Sequence, residues 1–81
     1  MSANVNVLIT MANQIGDFFD TMKNREQSLE EIASHLRRFW EPRMRLALLA
    51  HVDQQAGAGL NEIVLDSLNT HRNLLALPAR P

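Results

Sequence analysis

The sequence predicts an all-α protein, a small bundle of about four helices in one domain. Three observations carry that expectation. Apolar residues recur three and four positions apart, the period of a helix, and nowhere alternate as a strand would. Proline and glycine stand at Pro42 and at Gly57 and Gly59, where the periodic stretches stop. The chain has only 81 residues, which bounds it to one domain, residues 1–81.

The first helix is expected over residues 5–22. At about 100° per residue, Leu8, Met11, Ala12, Ile15, Phe18, Phe19 and Met22 share a face, and Asn13, Asp17, Asp20 and Thr21 lie opposite. Ile9 and Gly16 fall just outside that stripe. A glycine there weakens the helix by up to ~1 kcal/mol but admits a close neighbour. Lys23-Asn24-Arg25 reads as a polar turn. Ser28 and Glu31 have capping-box spacing, so the second helix is expected over 28–40. Its apolar face is Leu29, Ile32, Ala33, Leu36, Phe39 and Trp40. Glu30 and Glu31 near its start and Arg37 and Arg38 near its end complement the helix dipole.

Pro42 disfavours helical geometry at Glu41 and suits the first position of a new helix, so a sharp corner leads into a third helix over 42–55. Met44, Leu48 and Val52 form one stripe there, while Leu46, Leu49 and Ala50 point elsewhere. A helix apolar nearly all round must be central or covered by a partner. Gly57-Ala58-Gly59 ends it with a flexible link, and a fourth helix is expected over 61–75. Residues 1–4 and the proline-bounded tail 76–81 are expected to be flexible. The N-terminus lacks the basic and apolar regions of a secretory signal, and the longest apolar run, Leu46 to Ala50, is far short of the ~20 residues that span a bilayer. The expected location is the cytoplasm.

Composition excludes several chemistries. There is no cysteine, hence no disulfide, thiol catalysis or cysteine-held metal. His35, His51 and His71 lack the three- or four-residue spacing of helical ligand pairs, and Glu31 with His35 reads as a surface charge pair. Gly57 and Gly59 follow a helix and lack the lysine of a phosphate loop. Ser34 and His35 are sequence neighbours and do not face each other on a helix. No acid, base and nucleophile set can be assembled, so neither catalytic nor cofactor-binding nor metal-ligating residues are expected.

Net charge is −1, but its distribution is uneven: residues 35–45 carry +3 and the remainder −4. Arg37, Arg38, Arg43 and Arg45 surround Phe39 and Trp40. Such a cluster suits a protein interface, where Trp and Arg anchor contacts, or a nucleic acid, through phosphates and stacking. The acidic remainder favours protein carboxylates or carbonyls. A small nucleic-acid binder is the alternative, although the corner at Glu41-Pro42 is shorter than the three- or four-residue turn of a helix-turn-helix. A self-associating bundle is a third possibility. The candidate partner-binding residues are Arg37, Arg38, Trp40, Arg43, Arg45, Leu46 and Leu49, the leucines becoming buried on binding. Phe18, Phe19, Phe39 and Trp40 are expected to set the helix packing.

Two blocks, Met11-Ala12-Asn13-Gln14-Ile15-Gly16-Asp17-Phe18-Phe19 and Ile32 through Arg45 (IASHLRRFWEPRMR), with Leu48-Leu49-Ala50-His51 after them, carry a family likeness. The chain resembles the delta subunit of soluble NAD-dependent formate dehydrogenases containing molybdenum or tungsten, over roughly residues 8–52 and more loosely to Leu75. The resemblance implies a noncatalytic accessory subunit that binds no cofactor itself. It also implies a catalytic partner subunit with a molybdenum or tungsten pterin and iron–sulfur clusters, and further subunits with flavin and the NAD site. The family's role is associated with assembly, stability or metal-cofactor maturation of that complex.

Overall fold

Local chain chemistry sets where each helix begins and ends. The computed structural model describes residues 4–76. Five helices run through them: α1 (Val5–Phe19), α2 (Arg25–Phe39), α3 (Pro42–Gln55), α4 (Glu62–Thr70) and α5 (Arg72–Ala76). Among the described residues there is no strand. Asn4 caps α1, its side chain accepting from the Asn6 N–H at 2.9 Å. Ala76 ends α5 as a helical residue. The other positions expected to be flexible, 1–3 and 77–81, lie outside the described residues.

The start of α2 differs from the capping box. Asn24 is the N-cap, its side chain accepting from the Gln27 N–H at 3.1 Å, so the helix begins three residues early and Glu26 occupies its acidic first turn. Asn is as good a cap as Ser. Ser28 is freed for a different task. It is buried, and its hydroxyl donates to the Phe19 carbonyl at 2.8 Å, at the point where α1 stops. That bond satisfies one of the carbonyls a helix end leaves open. It helps explain why α1 ends at Phe19 rather than Met22.

The corner into α3 is as the sequence predicts. Trp40 closes α2 in an extended conformation, Glu41 follows, and Pro42 is the first residue of α3. Glu41 makes no side-chain cap bond. At the other end Ala56 adopts the left-handed conformation (φ 56°) and Gly57 follows at φ 72°. Glycine is favoured at Gly57 by that left-handed backbone, and a Cβ there would also push aside the end of the Leu65 side chain.

The fourth expected helix is divided. It breaks at His71 (φ −112°, ψ 30°) and restarts as α5. Asn69, Thr70 and His71 are poor helix formers, which makes the break inexpensive. The turn aims Leu75 into the core and sets Arg72 in an ion pair with Asp53 of α3.

α2 packs against α1, α4 and α5, while α3 packs against α1 and α5. The core they enclose contains Leu8, Ala12, Ile32, Leu36, Trp40, Leu48, Leu49, Ile63, Val64, Leu68 and Leu75. At the α1–α4 crossing Gly16 is buried, and a Cβ there would fall inside the contact shell of a Val64 methyl group. The close approach expected of this glycine is therefore real. It also turns α1: the buried stripe runs Leu8–Ala12–Gly16, rotated toward Gly16 and away from Phe18. Ser67 reinforces the α2–α4 contact by donating to the Leu29 carbonyl at 2.6 Å.

Candidate docking surface

The rotation of α1 decides where the aromatic side chains go. Phe18, expected to set helix packing, is 71% exposed. Phe39 of α2 is 65% exposed, because the buried face of that helix centres on Ile32, Ala33 and Leu36 and leaves Phe39 at its edge. Phe19 is half-buried against the core, and only Trp40 of the four aromatic residues is buried.

These rings are not scattered. Phe18 and Phe19 meet edge to face with centroids 5.0 Å apart, Phe19 meets His35 at 6.1 Å, and His35 meets Phe39 at 4.7 Å. Edge-on and tilted contacts are the favoured aromatic geometries. The ladder crosses from α1 to α2 and borders an apolar groove of about 500 Å³ lined by Met11, Gln14, Ile15, Phe18, Phe19, His35 and Trp40. His35 is thus a rung between two phenyl rings. Among the described residues it makes no ion pair with Glu31, contrary to the charge pair their spacing suggested.

The arginines divide into two kinds. Arg25 pairs with Asp66, which raises its pKa above the ordinary value through that hydrogen bond, and Arg72 pairs with Asp53. Arg37 and Arg38 make no ion pair among the described residues. The Arg38 guanidinium lies 5.5 Å from the centroid of the Phe39 ring, within cation–π range. Arg43 reaches Glu41 at 3.7 Å with both side chains in solvent, an arrangement that contributes little.

Arg45 is the exception among the four corner arginines. It is 2% exposed, among core leucines, and its Nη1 donates to the Leu75 carbonyl in α5 at 3.1 Å. A cation on a helix's C-terminal carbonyl is a charge-assisted bond in favourable dipole geometry. Burial, and to a smaller degree the charge of Arg37, pushes the guanidinium pKa below its ordinary value. A guanidinium does not give up its proton in proteins, so the group is a buried cation.

The seven candidate partner residues therefore separate. Arg38 and Arg43 are exposed, Arg37 is half-buried, and Leu46 is 51% exposed. Trp40 lines the groove from within the core. Arg45 and Leu49 are already covered by the chain's own helices, so an external partner does not reach them in this packing. The reason lies in α3, whose buried face is Arg45, Leu48 and Leu49. With an arginine taken into that face, the helix is less exposed in its leucines than a purely apolar stripe implied, and Leu46 faces out.

Sequence reasoning missed the clamp between α1 and the link after α3. The Asn13 amide donates to the Gly59 carbonyl at 2.9 Å and its oxygen accepts from the Asn61 N–H at 2.8 Å. Asp17 accepts from the Asn61 side chain at 2.8 Å, and His51 shares a 2.7 Å hydrogen bond with the Ala58 carbonyl. The link expected to be flexible is held at three points. Asn13 and Asp17, four apart on the polar side of α1, carried a signal for it, since i and i+4 residues share a face.

Among the described residues no three or more His, Asp or Glu side chains are grouped to hold a metal ion, and no helix is long and apolar enough to cross a membrane. The α2–α3 corner has two residues between its helices, and α3 turns Arg45 inward, unlike a recognition helix.

What the fold and surface define is a small all-α bundle with an arginine-edged aromatic groove open to solvent. Residues 7–68 match the family model described as NADH-dependant formate dehydrogenase delta subunit FdsD, and the chain belongs to that family. The match spans the groove, the corner and the α1–α4 crossing. No curated protein and no solved structure matches the chain significantly.

Proposed function

We propose that this chain is a noncatalytic accessory subunit of a cytoplasmic NAD-dependent formate dehydrogenase. It docks on the catalytic subunit that holds the molybdenum or tungsten pterin, and so assists assembly, stability or metal-cofactor maturation of the complex. The cofactors, including iron–sulfur clusters and flavin, belong to the partner subunits. The observation that carries this reading is the coincidence of two exposed phenyl rings, Phe18 and Phe39, with an arginine, Arg38, that has no carboxylate partner among the described residues. Exposed aromatic and arginine side chains are the residue types that dominate binding energy at protein interfaces.

In this reading Arg37, Arg38, Arg43 and Leu46 form the outer contact set. Trp40 supports the groove, and Arg45 and Leu49 belong to the packing of α3 within the bundle. The test is to tag this chain in cells that make the whole enzyme and identify what copurifies. The catalytic subunit is the expected companion, and recovery of no formate dehydrogenase subunit rejects the reading. A deletion strain separates the roles: enzyme that remains fully assembled, metal-loaded and active without this chain rejects assembly and maturation.

A further inference from the structure

We infer that the α1–α2 groove seats a short acidic segment of a partner subunit: one or two bulky apolar side chains enter the groove, and a neighbouring Asp or Glu pairs with Arg38. The inference rests on the docking role proposed above and adds the chemistry of what is docked.

The groove dictates the apolar part. Met11, Ile15, Phe18, Phe19 and Trp40 line it, with Gln14 and His35 as its polar members. Its volume of about 500 Å³ suits a few side chains rather than a whole helix. Its walls are also pre-arranged, since four rings already contact one another in sequence from Phe18 to Phe39. Rings held by neighbouring rings lose little conformational freedom when a partner arrives, which keeps the entropic cost of association low.

Charge dictates the rest. The cation against Phe39 is Arg38, exposed and with no ion-pair partner among the described residues. Arg37 and Arg43 add positive charge to the same corner, against the single carboxylate of Glu41. A basic or neutral segment would leave Arg38 uncompensated while covering the ring beneath it. A carboxylate forms a charge-assisted bond there, in surroundings the partner has partly dried. A nucleic acid is a poorer fit. A phosphate chain needs cations repeated along its track, whereas the groove lining itself has none and Arg38 stands at one end. A second copy of this chain is the poorer occupant: its exposed large apolar residues with an acid within three positions are Phe18 and Phe39, which already pack in the groove's own ladder of rings.

The experiment uses the complete complex. Phe39→p-benzoylphenylalanine is incorporated in vivo, the purified enzyme is illuminated, and the cross-linked peptide is mapped by mass spectrometry. The expected product joins this chain to another subunit at an apolar residue beside Asp or Glu. In parallel, Phe18→Ser with Phe39→Ser should weaken retention about thirtyfold or more, the scale of losing an interface anchor. Arg38→Glu should weaken it about tenfold and be rescued by placing Lys at the mapped carboxylate. Val7→Ser, at an exposed apolar position outside the contact set, serves as the surface control, and circular dichroism of each isolated variant reports its helical content.

A cross-link to a basic or uncharged stretch, to nucleic acid or to a second copy of this chain overturns the inference. So does full retention of the double phenylalanine variant, and in that case copurification still stands and the docking role survives. Failure of the unaltered chain to copurify with any subunit overturns the docking role itself.

Discussion

Two seams of α2 face the same chemical problem and end in opposite states. Toward α4, Ile32, Ala33, Val64 and Leu68 are buried, Ser67 donates across to Leu29, and Arg25 at the edge finds Asp66. Toward α1, near the corner, the apolar side chains are larger but two of the rings are mostly in solvent, and Arg38 at the edge finds no carboxylate among the described residues. The first seam is closed at every level: volume, hydrogen bonds and charge. The second has one cross-helix bond, from Ser28 to the Phe19 carbonyl, and is left open in volume and charge. A seam that a chain closes by itself holds the fold, whereas one left open in both volume and charge has the composition of a contact surface.

That contrast is sharpest in what single substitutions do to the isolated chain. The largest loss is expected at the boundary between the two, where Trp40 is both core and groove lining. Trp40→Ala should cost about 3–5 kcal/mol in urea unfolding, the range for emptying a large aromatic site. A loss under about 1 kcal/mol would show the ring to be dispensable for the core and make the groove a surface feature alone. Next comes Arg45→Ala, expected to lose about 2–4 kcal/mol because its buried stem and its bond to Leu75 both go. Unchanged stability with loss of the partner would return Arg45 to the contact set. Gly16→Ala should cost up to about 2 kcal/mol, since crowding the buried Val64 methyl outweighs the ~1 kcal/mol that alanine gains in helix propensity. A rise in melting temperature would mean that α1 and α4 stand further apart.

The sequence made the closed parts of the molecule legible and blurred the open ones. Helical period and the Pro42 corner predicted α2 and α3 well, because both signals are local. Gly16 announced a close crossing for the same reason. The angular origin of each stripe was not local. Whether α1 centres on Leu8–Phe19 or on Leu8–Gly16 depends on which side α4 arrives, and that rotation moved Phe18 from an expected packing residue to solvent. Arg45 was misplaced by a sound general rule, that arginines lie outside. The carbonyl that takes it in is 30 residues away, at the end of a helix created by the break at His71, which no short window displays. Ser28 shows the same competition on a smaller scale: two valid caps stood four residues apart, and the one that left Ser28 free to bond Phe19 prevailed.

The smallest effect on stability is expected at the open seam, and it discriminates most. Phe18→Ser and Phe39→Ser each remove a ring already in water, so unfolding of the isolated chain should shift by no more than about 0.5 kcal/mol. Replacing Ile32 or Leu36 on the same helix by alanine should shift it by about 2–5 kcal/mol. Equal losses at exposed and buried positions would mean that the ladder of rings holds α1 to α2, and the contrast between the seams would vanish. Near-silence in unfolding joined to loss of the partner would separate the two functions of α2 cleanly. One face would hold the fold, and the other, which the chain does without when alone, would be kept open for another subunit.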